Sequence, residues 1–188
     1  MQNDNVYNLI EHELSQLQDH EVKLLFRTGT QSRQVNEYEI KELFFMPYWF
    51  VKVELNEHFK NFELTTIIEK SLKYSNIDLE VCSITPQDQM KLICYLFNTL
   101  SDVFEMEQNQ FRADTDPLAI AAGADGFNIF GEYNALNSLS SGDITKWDNL
   151  KMQPYEYCFM KLLMNKTQAQ FDKKYAELVR EKNKHKKK

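Results

Sequence analysis

Four histidines, three cysteines and scattered carboxylates are the groups in this chain that could bind a metal or move a proton. His12, His20, His58 and His185 stand far apart. None lies at zinc-type spacing from a cysteine or a second histidine, as HExxH or CxxC would require. The EHE triplet at 11–13 falls on an amphipathic helix and reads as solvated. Cys82, Cys94 and Cys158 are widely separated, odd in number and set among apolar neighbours, which is the pattern of buried reduced thiols. A catalytic cysteine would need a histidine brought beside it by the fold. DTDP at 114–117 offers two close carboxylates but lacks the third oxygen ligand and the placed glycine of a calcium loop, so it reads as a turn. GADGFNIFG at 123–131 has no Lys-Ser/Thr after its glycines and no clear strand before them, which excludes a phosphate loop and a dinucleotide site. Those glycines mark a flexible or tightly packed backbone instead. These residues assign no catalytic, cofactor-binding or metal site. The chain is expected not to be an enzyme and to need no cofactor.

The densest apolar stretch is FFMPYWF at 44–50. Stacking on single-stranded nucleic acid would need such aromatics interleaved with Lys or Arg. Here the nearest bases, Lys41 and Lys52, are flanked by Glu39, Glu42 and Glu54. Core packing or a protein interface is the reading that fits.

The elements that must hold these residues are mainly helical. Hydrophobic residues make up 43% of 188 residues and aromatics 13%, enough for a real core, while only 5 Gly and 4 Pro leave too few turns for an all-β sandwich. The expected fold is mostly α with a small β element near the N-terminus (α+β), a helical bundle ending in a long C-terminal helix. Val6, Leu9, Ile10, Leu14 and Leu17 follow helical spacing behind Asp4 or Asn5 as cap. EVKLLF at 21–26 and YWFVKVEL at 48–55 read as strands of a small sheet or hairpin within 20–56, with YEIKELFF between them ambiguous. Residues 64–74 show a helical face. Thr85, Pro86 and Asp88 then give a strong helix start, followed by a stripe at Met90, Ile93, Leu96, Phe97 and Leu100.

Three segments follow from this pass. Residues 1–104 hold an N-terminal helix, the small sheet and central helices. Residues 105–126 change to a polar, acidic and then glycine-bearing composition, the signature of a flexible linker. Residues 127–188 form a C-terminal helical module. There Tyr133, Leu136 and Leu139 share a face, SSGD supplies turn and cap, ITKWDNL is a short helix with Trp147 as anchor, and Pro154 opens the last helix. Trp147, Tyr155, Phe159, Phe171 and Tyr175 are the candidate packing or contact residues. The later half of that helix is thinly apolar, as in helices that pack on a neighbour or another subunit.

Charge is uneven. The tail REKNKHKKK at 180–188 carries +5, which leaves −11 on the rest of a chain with net charge −6. An acidic body excludes a nucleic-acid-coating role, apart from weak contact through the basic tail. The tail also suits the negative end of a helix dipole. The N-terminus is not a signal peptide and no apolar run reaches membrane-spanning length, so a soluble, intracellular chain with no membrane partner is expected.

The pattern LNSLSSGDITKWDNLKMQPYEYCFMKLLMNKTQAQFDKKY resembles the end of small helical proteins encoded among tailed-bacteriophage structural and assembly genes. These are tail assembly chaperones and related baseplate or neck assembly proteins. The shared features are a short helix bearing Trp147, the Trp-to-Pro spacing, an aromatic helix from Tyr155 and a charged end. VCSITPQDQMKLICYLF is similar to the mid-region of baseplate hub assembly proteins of contractile-tailed phages. The resemblance implies a non-enzymatic virion assembly or structural protein. Its partners would be other virion or assembly proteins, or further copies of itself. Its place would be the host cytoplasm during assembly or the virion. The alternative from the residues alone is a cellular adaptor or regulator that binds one partner through its C-terminal helix.

Overall fold

A computed structural model describes residues 19–111 and 121–185. Its elements are α1 (Asp19–Thr28), β1 (Gln34–Val35), β2 (Tyr38–Glu39), α2 (Leu55–Lys60), α3 (Leu64–Tyr74), α4 (Pro86–Phe111), α5 (Tyr133–Leu139), α6 (Trp147–Lys151) and α7 (Tyr155–His185), joined by 3-10 turns. The chain is mostly helical, with one two-stranded antiparallel β element near the N-terminus and a long C-terminal helix. The expected helix at 4–17, the DTDP turn, the first half of PLAIAAGA at 117–124 and the last three lysines lie outside the described residues. Among those described, no helix is long and apolar enough to cross a membrane.

The two stretches expected as strands are helical. EVKLLF lies in α1, where Phe26 is buried against Phe59 and Phe97 at 6.0 and 5.2 Å while Leu24 and Leu25 face outward. YWFVKVEL belongs to a continuous helical run over 48–60, through a π-helical stretch at Phe50–Glu54 into α2. Its fully buried residues include Tyr48, Val51 and Leu55, with Phe59 nearly so, which is helical spacing. Aromatic and β-branched composition favours strands only where a pleated surface receives it, and here the three-four spacing wins. Only the hairpin between them is β. Its register is Gln34↔Glu39 and Val35↔Tyr38, and Asn36 takes a φ of 53° in the two-residue turn.

The other starts and stops follow the sequence signals. Thr85 Oγ1 accepts from the Asp88 amide at 3.2 Å and donates to the Asp88 carboxylate at 2.8 Å. These bonds and Pro86 fix the start of α4. At the end of α3 the Ile77 amide bonds the Leu72 carbonyl and the Asn76 amide bonds the Lys73 carbonyl, with Asn76 at φ 58°, a Schellman closure. Asp143 caps the turn before α6 by accepting from the Thr145 amide at 3.0 Å.

Residues 105–111, expected as the first part of a linker, are the last two turns of α4. Their polar composition is taken up by specific pairing, described below, and Met106 and Phe111 still pack on the core. That core is continuous from Phe26 through the α4 residues to Leu136, Tyr155, Cys158 and Phe159, so the first turns of α7 are built into the body.

Candidate functional site

Two helical runs of this chain open with Pro-Tyr, and the two openings bond to each other. The Tyr48 amide donates to the Gln153 carbonyl at 2.7 Å, and the Tyr155 amide donates to the Met46 carbonyl at 2.9 Å. Pro47 and Pro154 face each other in this antiparallel bridge. Each proline suits the first turn of its helix, where a missing N–H costs nothing. The reciprocal pair of bonds satisfies amides that a helix start otherwise leaves open.

The side chains repeat the pattern. The Tyr48 hydroxyl donates to Glu132, and the Tyr155 hydroxyl donates to Glu107 at 2.9 Å. Lys52, one turn after Tyr48, donates to Glu107, with Glu132 Oε2 at 3.8 Å. Its ammonium also lies 5.2 Å from the centre of the Phe104 ring. Burial, and then the facing carboxylates, push both phenols above their ordinary range. Two tyrosines, two glutamates and one lysine thus tie the 48–60 run, α4, the residue before α5 and α7 into one knot. Glu107, Glu132 and Lys52 also line a cleft of about 470 Å³ with Phe111, Asn165 and Lys166. In this knot each phenol and the lysine ammonium has a carboxylate acceptor, which is the condition under which a buried polar cluster fixes geometry.

A second polar group sits on the surface between α2 and α3. His58 Nδ1 is 2.5 Å from Glu63, its Nε2 is 3.0 Å from Lys70 Nζ, and Lys70 also pairs with Glu54 at 2.8 Å. Burial raises the Cys94 thiol and pushes that of Cys158 up to about 11, which disfavours the thiolate at both. Among the described residues no group of three His, Cys, Asp or Glu side chains is placed to hold a metal ion. The glycine-bearing stretch forms a 3-10 turn, Ala124–Phe130, between Gly123 at φ 85° and Gly131 at φ 48°. Among the described residues, chain neighbours aside, no atom lies within 4 Å of a Cβ built at either glycine, and it is their backbone angles that call for glycine.

The five candidate contact residues separate into two groups. Tyr155 is fully buried, and Phe159 packs between it and the Phe111 ring at 5.9 and 5.5 Å. Trp147 is half-buried, 5.4 Å from Tyr133, with its indole N–H donating to Ser140 at 3.3 Å. Phe171 and Tyr175 are each 61% exposed and stack on each other at 6.0 Å. They belong to an outer segment, 167–184, in which every residue is exposed. At 1.5 Å per residue it extends roughly 27 Å past the last packed turn.

The exposed face of α7 holds more than those two aromatics. Tyr157, Met164, Phe171 and Leu178 recur at intervals of seven, and all four are more than half exposed, with Met160 and Tyr175 beside them. The seven-residue interval was readable in the sequence. The polar knot was not, because Lys52, Glu107 and Glu132 look like ordinary surface charges until the fold brings them together. The repeated Pro-Tyr was the one available signal for it. No family model matches this chain, and no curated protein or solved structure matches it.

Proposed function

We propose that this chain is a non-enzymatic assembly or structural protein of a phage particle. It works in the tail, baseplate or neck region through protein–protein contacts, with α7 as its binding element. The observation that carries this reading is the division of α7. Its first turns are clamped into the body, while residues 167–184 stand clear of it and present Phe171, Tyr175 and Leu178 at 61, 61 and 56% exposure. Exposed apolar residues at seven-residue spacing on an anchored helix are suited to helix-in-groove or helix-pair recognition. The resemblance of the stretch from Leu136 to Tyr175 to phage assembly proteins supplies the setting. The non-enzymatic part rests on the polar clusters, where the Tyr48, Tyr155, Lys52 and His58 side chains are bonded to neighbouring side chains.

The test is coexpression of the tagged chain with the tail, baseplate and neck proteins of a candidate phage, followed by gradient separation of the assembly intermediates. The chain is expected to travel with one of those proteins or intermediates, and Phe171→Glu with Tyr175→Glu to release it. A chain that stays free of every virion protein overturns the phage reading. If it instead forms a one-to-one complex with a single cellular protein, the adaptor reading replaces it.

A further inference from the structure

We propose that a second copy of this chain covers the outer face of α7, the two helices running antiparallel and crossing at Phe171. The inference rests on α7 being the binding element and specifies its occupant.

The spacing defines the geometry. A two-fold axis at Phe171 sets Phe171 of one copy on Phe171 of the other, and sets Leu178 against Met164 on both sides of the crossing. Each of these residues is 56–62% exposed in the single chain. The axis also lays the aliphatic stem of Lys182 over Met160, itself 49% exposed. A self-complementary patch of this kind is what an isologous dimer requires.

Charge decides the direction. A parallel pair would set Arg180, Lys182 and Lys184 of each copy beside their own duplicates, together with the three lysines that follow in sequence. The antiparallel pair separates the two basic ends and carries each toward the partner's body, whose share of the net charge is strongly negative. It also places Glu181 opposite Lys161 of the other copy, twice per dimer. At the level where the basic end arrives, Tyr157 and Met160 keep the outer side of α7 open at 65 and 49% exposure.

Sedimentation of the full chain across the micromolar range tests the inference. The wild-type chain is expected to form a dimer, and Phe171→Glu a monomer with unchanged helical circular dichroism. Glu181→Lys is expected to weaken the dimer about fivefold, two exposed pairs being lost. Adding Lys161→Glu to it is expected to restore the wild-type constant. In a parallel pair these two positions would lie roughly 30 Å apart and no restoration would occur. A wild-type chain that stays monomeric overturns the inference, as does a dimer in which the second substitution restores nothing. A monomer that still binds a virion protein through Phe171 sinks the dimer and leaves the proposed function standing. A dimer that binds no virion protein does the reverse.

Discussion

The rings of Tyr48 and Tyr155 lie in nearly parallel planes, 8° apart with centroids 6.3 Å from each other, although 107 positions separate them in the chain. Each follows a proline, each opens a helical run, and each gives its amide to the other's segment. This clasp converts α7 from a terminal helix into a mounted one. Held at its first turn by backbone bonds, ring packing and the Glu107 and Glu132 carboxylates, the helix can project a long exposed face without losing its direction.

The clasp should show itself in alkali. Burial raises both phenols above their ordinary value of about 10, so the folded chain keeps protons that the unfolded chain releases. Their contribution is complete below pH 10 and is lost as pH rises above it. The slope is about 1.4 kcal/mol per pH unit for each phenol. Urea unfolding at pH 9, 10 and 11 should reveal the fall, and Tyr48→Phe with Tyr155→Phe should flatten it. An unchanged slope in that double variant would mean that other groups govern alkaline unfolding.

Lys52 holds two carboxylates together, and its loss should cost more than the loss of either one. Its side chain is 10% exposed, and those of Glu107 and Glu132 are 16 and 25% exposed. Lys52→Met leaves two acids in a partly dry site without their counter-ion, which costs about 3 kcal/mol. Lys52→Met with Glu107→Gln should recover part of that, since one uncompensated charge is then gone. Thermal melts of the single and double variants measure both numbers.

The helix starts that were legible depend on local chemistry. Thr85-Pro86 before α4, Asp143 before α6 and Pro154 before α7 act within three residues of themselves. The errors came where a distant partner decided the outcome. Phe26 pulls α1 into helix by meeting Phe59 and Phe97, which no window over EVKLLF contains. Residues 105–111 looked like a linker because Glu107 is a charge, and only the position of Lys52 and Tyr155 turns that charge into a tether. At the candidate site, Phe171 and Tyr175 were identifiable by type and helix. Their exposure, and that of Met164 and Leu178, depends on where the body ends, which is a property of the fold.

Gly29 should resist even alanine. A Cβ there would stand 2.4 Å from the Cys94 sulfur and 3.2 Å from the Leu25 carbonyl oxygen. Gly29→Ala forces α1 away from α4 at a cost of about 1–3 kcal/mol, the range for overpacking in a filled core. Cys94→Ala in the same chain opens space at that contact, so the pair should lose less than the sum of the singles. Chemical denaturation of the four variants completes the cycle, and simple additivity would place the strain somewhere other than the Gly29–Cys94 contact.

The outer part of α7 should be the least protected helix in the dilute chain and should gain protection with concentration. Residues 155, 158 and 159 are buried, whereas no residue of 167–184 is. Local opening follows the loss of apolar contacts, so amides in 167–184 should exchange orders of magnitude faster than those near Tyr155. Most of a helix's stability in a protein comes from a packed amphipathic face. Pairing across Phe171 supplies one. Hydrogen exchange at rising protein concentration should therefore slow residues 164–182 while leaving α3 and α4 unchanged. Phe171→Glu should abolish that response and keep the rapid exchange at every concentration. Uniform protection along α7 in the dilute chain would mean that the helix is stabilised by something other than contact with a second copy.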